Sequence, residues 1–312
     1  MLGWLLLSGA AVLLVVGAEL FVENAAGAAR RLGVTVLAVG ILLAGAEPEE
    51  LLTVVIAAAS DRPGLAAGDA IGANVTMLTA VLGLAALVRP LTLGRRVREY
   101  AVLSAVAGAL AWLALLGGEV TRVEGSLLVL AYVVLVAGIW WREREPPSLG
   151  ELAEIAADDD RDGDAAPRAP AVSLGLALAG VALMVGGGDL AVRGAVRIVE
   201  SIGRQDSAVG LTILALATTA ELFALVLSAT RHAVPEIAVA GVVGSAAYNA
   251  TLSLGAGALV TPLPADDFRW PAVLAAVLPL VVIASARGTR LGRVGGALLL
   301  AGYAAYALVL LG

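Results

Sequence analysis

The sequence predicts an all-α membrane protein of ten transmembrane helices, built as two inverted five-helix repeats. Three observations carry that reading. The chain is too apolar for a soluble fold, its apolar residues fall in ten blocks of bilayer-spanning length, and its two halves resemble each other at a separation of about 171 residues.

The apolar content comes first. The 312 residues are 60% hydrophobic and 15% charged, with mean hydropathy +0.95. A soluble domain of that size still presents a polar exterior and needs far less apolar surface. Crossing a bilayer takes roughly 20 apolar residues as a helix. Blocks of that kind lie near 2–22, 34–60, 68–89, 99–117, 123–141, 171–192, 207–230, 237–260, 269–286 and 293–311. Alternation at period two is missing, and lipid demands internally satisfied backbones, so the blocks are read as helices. The first block has no basic residue before Trp4 and runs on to Phe21, which is expected of a retained span rather than a cleaved leader.

All 20 basic residues are Arg, and their placement predicts orientation. With the N-terminus outside, fourteen fall in cytoplasmic loops and six outside, so both termini are expected on the external side of an inner membrane. Between the halves, residues 142–170 carry nine acidic groups against four Arg, and are read as an acidic cytoplasmic linker. The domain plan is therefore 1–141, linker 142–170, and 171–312.

The repeat is explicit. Gly17-Ala-Glu19, Gly33 and Val39-Gly40 recur as Gly187-Gly-Asp189, Gly203 and Val209-Gly210. Gly72, Gly83 and Leu87-Val-Arg-Pro90 recur as Gly244, Gly255 and Leu259-Val-Thr-Pro262, and Arg122-Val-Glu-Gly125 recurs as Arg293-Val-Gly-Gly296. Five spans per copy is an odd number, so the second copy enters from the opposite face. Equivalent mid-span residues then meet at the midplane, the layout of an alternating-access transporter rather than an enzyme.

Ionisable groups inside spans are expensive and mark function. Glu49 in span two and Glu221 in span seven are equivalent at an offset of 172, and are the candidate ion-binding pair. Pro48 removes a helix hydrogen bond and disturbs the turn before it. Cys is absent and the single His232 falls between two apolar blocks, which excludes thiol chemistry, disulfides and a histidine metal site. No cofactor is called for, and nothing points to nucleic acid; the expected partners are inorganic cations and the bilayer itself.

Leu211-Thr-Ile-Leu-Ala-Leu-Ala217-Thr-Thr-Ala-Glu221-Leu, followed by Gly241-Val-Val-Gly244-Ser245-Ala-Ala-Tyr-Asn249, resembles the second alpha repeat of the sodium/calcium and proton/calcium exchangers. Pro48-Glu49, followed by Gly68-Asp69-Ala-Ile-Gly72-Ala-Asn74, resembles the first. The resemblance to this calcium/cation antiporter superfamily implies an exchanger-type fold and a four-helix ion site from spans two, three, seven and eight. It also implies that Glu49 and Glu221 bind the cation, with Ser245 and Asn249 adding a hydroxyl and an amide and Thr218 lying beside them. The implied activity is exchange of Ca²⁺ for Na⁺ or H⁺, with a sodium/proton or potassium-type exchanger on the same fold as the alternative.

Three departures bear on the ion site. The positions matching Ser245 and Asn249 in the first half are Ala73 and Met77, which offer no oxygen to a hard cation. Gly45-Ala46 stands where the family has Thr-Ser, and Glu47 and Glu50 are added. Asn74 either substitutes as a ligand or hydrogen-bonds across spans. Asp69 is expected to open span three, where an acid suits the helix dipole; Glu19 and Asp189 are expected at span ends, and Arg193 and Arg197 to snorkel. In the linker, Asp158 to Asp162 fits the start of a calcium loop but position twelve is Ala169, and its DDxxD pattern, which suits a diphosphate-binding prenyltransferase, has no second Asp-rich partner. A solvated acidic run is the better reading.

Overall fold

A computed structural model describes residues 1–31, 47–143, 170–223, 226, 235–286 and 288–312. Most of the linker, the first half of span two and the end of span seven lie outside those residues. The helices are α1 (Leu2–Arg31), α2 (Pro48–Ala59), α3 (Pro63–Val88), α4 (Arg95–Ala114), α5 (Arg122–Glu143), α6 (Pro170–Ile202), α7 (Asp206–Thr218), α8 (Pro235–Tyr248), α9 (Arg269–Ala284) and α10 (Arg293–Leu311). Past Tyr248, α8 continues through a wide π turn, Asn249–Ser253, into Leu254–Val260. Among the described residues, six helices are long and apolar enough to cross a membrane: those within α1, α3, α4, α5, α6 and α10.

Local sequence explains several boundaries. Proline at the first helical position needs no intrahelical donor, and Pro48 and Pro63 open α2 and α3 in that way. This moves the start of span three five residues earlier than the hydropathy blocks suggest. It also corrects the placement of Asp69, which lies almost two turns inside α3 and is buried, not at the helix start. The first and sixth helices also overrun their apolar blocks, to Arg31 and Ile202, because polar residues at the interface continue a helix as readily as they end one.

Burial sorts the helices. The apolar window of α3 is 83% buried against 22% for α10, so α3 is central and α10 peripheral. Leu298, Leu308 and Val309 on α10, and Leu127, Leu130 and Val134 on α5, face outward, as lipid-contacting side chains would. At the centre, α3 crosses the π turn of α7, Gly210–Leu214, at backbone contact. A β-carbon at Gly72 would sit 2.5 Å from the Leu211 carbonyl oxygen. Gly72→Ala is therefore expected to destabilise the detergent-solubilised protein by the roughly 1–3 kcal/mol typical of overpacking, seen as a lower melting temperature. Gly186→Ala on α6, where nothing lies within 4 Å, is the control that leaves melting unchanged.

The halves exchange their ends. Strand β1 (Leu91–Thr92) pairs antiparallel with β4 (Arg290–Leu291), and β2 (Glu119–Val120) with β3 (Leu263–Pro264). Arg293 Nε donates to the Leu87 carbonyl at the end of α3 (3.1 Å), while Arg122 Nε donates to Leu259 (3.2 Å) at the end of the α8 extension. Arg122 and Arg293 are sequence equivalents, as are Leu87 and Leu259. Each half therefore caps the other half's helix with the same residue. The π turns Met77–Val81 and Asn249–Ser253 also fall at equivalent positions.

Candidate ion-binding site

Among the described residues, five acids are buried in the helical core: Glu47, Glu49, Glu50, Asp69 and Glu221. Among the described residues no Arg is buried with them, and four ion pairs involving Arg are partly or wholly exposed. A buried carboxylate without a basic partner needs a proton or a metal ion to offset its desolvation.

The backbone delivers these groups to the bundle centre by interrupting its helices. Glu47 precedes Pro48, so α2 begins inside the protein with Glu49 and Glu50 in its first turn. On the other side, α7 stops at Thr218 and Thr219 adopts φ −80°, ψ 9° before helix resumes over 220–223 with Glu221 in it. Broken helices that line an ion site are tolerated at membrane depth because protein surrounds the freed backbone groups.

The carboxyl groups of Glu49 and Glu221 lie next to each other, so the equivalence read from the sequence is a spatial meeting. Glu47 sits on another wall of the core, in contact with Glu50 and Ser245, and accepts from Asn249 Nδ2 at 3.1 Å. Ser253 Oγ donates to Asn249 Oδ1 (3.0 Å), which orients that amide with its nitrogen toward Glu47. Ser245 Oγ donates to the Gly241 carbonyl at 3.2 Å, one turn back. Thr218 Oγ1 donates to Asp69 Oδ1 at 2.9 Å, leaving Asp69 Oδ2 buried without a donor. Asn74 Nδ2 donates to the Ala246 carbonyl at 3.0 Å, the cross-span alternative, and Ala246 is its equivalent 172 residues on. Its Oδ1 is buried and has no partner.

The seven candidate residues thus form neighbouring groups rather than one cage: Glu49 with Glu221, Glu47 with Ser245 and Asn249, Thr218 with Asp69, and Asn74 on the α3–α8 crossing. Among the described residues, no three His, Asp or Glu side chains converge as a ready metal cage. Ala73 and Met77 are fully buried, and the first half adds no oxygen there. Two acids carry more weight than sequence reasoning gave them. Hydropathy starts span three at residue 68 and so makes Asp69 a dipole partner; Pro63 is the sequence signal that places it inside the helix. Glu50 has both oxygens buried without a donor, and its adjacency to Glu47 is a consequence of the first turn of α2. Asp189, expected at a span end, instead lies more than three turns before the end of α6, because the helix overruns its apolar block, and it pairs with Arg193 at 2.9 Å in a half-exposed i,i+4 contact.

Comparison with known proteins agrees with this architecture. A family model described as sodium/calcium exchanger protein matches residues 2–141 and 172–312. The chain is 30% identical over 308 residues to the putative antiporter CaxA of Alkalimonas amylolytica, covering 95% of this chain and 94% of that one. It is 27% identical over 306 residues to the inner membrane protein YrbG of Escherichia coli K12, covering 94% and 91%. Among solved structures, the sodium/calcium exchanger from Methanococcus jannaschii superposes with a TM-score of 0.61 at 23% identity over 98% of both chains. NCX_Mj soaked with 2.5 mM Na⁺ and 10 mM Sr²⁺ gives 0.63 at 22% identity over 99% of both. At that identity the structures speak for the fold alone. The prenyltransferase alternative raised by the acidic linker falls with this match. The chain belongs to the sodium/calcium exchanger family and is a membrane antiporter, not an enzyme.

Proposed function

We propose that the protein exchanges Ca²⁺ for Na⁺ or H⁺ by alternating access, with Glu49 and Glu221 as the shared seat of the divalent cation. The observation that carries this reading is the contact of two buried carboxyl groups drawn from equivalent positions of the two halves. Two carboxylates that close together repel unless a cation or proton lies between them. Ca²⁺ takes oxygens at roughly 2.3–2.6 Å from carboxylates, amides, hydroxyls and carbonyls, the types that the neighbouring groups supply. Glu47, Asn74, Thr218, Ser245 and Asn249 are the proposed accessory oxygens, reached as the helices shift between inward and outward states. Coupling follows if Na⁺ or H⁺ claims the same carboxylates when Ca²⁺ leaves.

The two-fold exchange of caps, strands and π turns supports a ten-span inverted repeat divided as 1–141, 142–170 and 171–312. Purified protein in liposomes, loaded with Ca²⁺ and given an imposed Na⁺ or H⁺ gradient, tests the function. Ca²⁺ movement driven by either gradient supports it. Flux of Na⁺, K⁺ or H⁺ with no Ca²⁺ component would instead select the alternative exchanger.

The arginine distribution supports external termini and a cytoplasmic linker at an inner membrane. Because the chain has no Cys, Ser148→Cys provides a single label site in the linker. The expected result is no reaction with an impermeant maleimide in intact cells and full reaction after lysis. Labelling of intact cells would reverse the topology.

A further inference from the structure

Outside the ion site, a half-open cavity of about 390 Å³ lies between the start of α4 and the end of α5, lined by Arg95, Arg98, Glu99, Val102, Leu103 and Ile139 among others. We propose that it binds an anionic phospholipid, with the headgroup phosphate on Arg95 and Arg98 and one acyl chain laid along α4.

Charge is the first argument. Residues 89–99 and 288–293 hold six Arg (Arg89, Arg95, Arg96, Arg98, Arg290 and Arg293) and one acid, Glu99. The β1–β4 pairing sets Thr92 opposite Arg290 and so gathers both segments at one rim of the bundle. Arg95 uses its Nε on Glu99 (2.8 Å), and Arg98 uses one Nη on the Gly288 carbonyl (3.0 Å). A guanidinium has five N–H donors in a planar fork, so each retains donors suited to phosphate oxygens.

Shape and depth are the second. The cavity offers roughly a dozen water volumes at ~30 Å³ each, too much for one ion and suited to a polar headgroup. Below the arginines, Arg98, Val102, Val106 and Leu110 follow one another at intervals of four residues, which on a helix is one face. Val102, Val106 and Leu110 are 54%, 53% and 40% exposed, a continuous apolar track leading from the charged rim into the membrane. Trp141, 85% exposed at the end of α5 beside Ile139, marks the same level as interfacial. Basic pockets between transmembrane helices at that level recognise lipid headgroups. A soluble anion would use the rim and leave the apolar track without an occupant, and a zwitterionic lipid would bring no net charge to the arginine-rich rim.

Native mass spectrometry of the detergent-solubilised full chain, titrated with phosphatidylglycerol or phosphatidylcholine, tests the proposal. The wild type is expected to retain phosphatidylglycerol at least about fivefold more than phosphatidylcholine, and glycerol phosphate should not displace it. Arg95→Gln, which removes one exposed charge, should cut phosphatidylglycerol retention about fivefold, the weight of one basic residue near an anionic surface. Val102→Trp, which fills the cavity and leaves every charge in place, should cut it at least as much. If Val102→Trp fails to elute as a folded species, Arg95→Gln alone decides. Equal retention of both lipids by the wild type, unchanged retention in Arg95→Gln, or displacement by glycerol phosphate would each overturn the proposal.

Discussion

Glu221→Gln is expected to reduce gradient-driven Ca²⁺ uptake in proteoliposomes by about two to three orders of magnitude, and Glu49→Gln to do the same. Each substitution keeps the side chain's size and removes one of two adjacent carboxylates, both buried. Breaking a buried charged pair costs roughly 3–5 kcal/mol, which in binding corresponds to a loss of that size. The protein itself should remain folded, because a neutral amide replaces a group that folding had to desolvate. Melting of the purified variants separates the two effects. Ca²⁺ binding to the wild type should also weaken as pH falls, since metal ligands must be deprotonated and protons claim the same oxygens. A Glu221→Gln protein that moves Ca²⁺, Na⁺ and H⁺ at wild-type rates would remove the centre of the functional reading.

The second large effect is expected at Asn249. Its amide is the donor for Glu47 and the acceptor for Ser253, and the residue is fully buried. Asn249→Ala removes both bonds and leaves the Glu47 oxygen facing an apolar wall. The loss of a hydrogen bond to a buried charged group is worth about 1.5–3 kcal/mol, or roughly tenfold to a hundredfold in transport. Met77 occupies the equivalent position in the first half, opens its π turn and has no oxygen. Because Met77 is fully buried, Ala there would also leave a cavity, so the volume-keeping Met77→Leu is the informative partner. Transport by Met77→Leu within about threefold of wild type, with Asn249→Ala severely impaired, would establish that the two halves contribute unequally. Equal losses would mean that both positions act through packing alone.

Much of this arrangement was legible in the chain. Glu49 and Glu221 could be paired because an offset of 172 holds from Gly72 to Pro90, and that register needs only glycine, leucine and proline positions to read. The helical class followed from apolar length. What stayed hidden depends on geometry that hydropathy does not encode. Asp69 was misplaced because an apolar block begins later than the helix that Pro63 starts. The bond from Asn249 to Glu47 spans 202 residues, and no local pattern announces it. The π turns at Met77–Val81 and Asn249–Ser253 shift the facing of each residue after them, so a helix wheel drawn at 3.6 residues per turn misassigns which side chains share a wall.

The exchanged caps bear on how the protein is made. Arg293 reaches Leu87 across 206 residues of chain, and β1 waits for a partner, β4, that lies 199 residues further on. During synthesis the first half is therefore inserted with the carbonyls at the end of α3 and one strand edge still lacking their native partners. Those groups stay open until the last helix leaves the ribosome. Completion of the first half is thus tied to arrival of the second, and contacts of such long sequence separation form late. Halves expressed from two separate reading frames should accumulate only when made together, each acting as the missing assembly factor of the other.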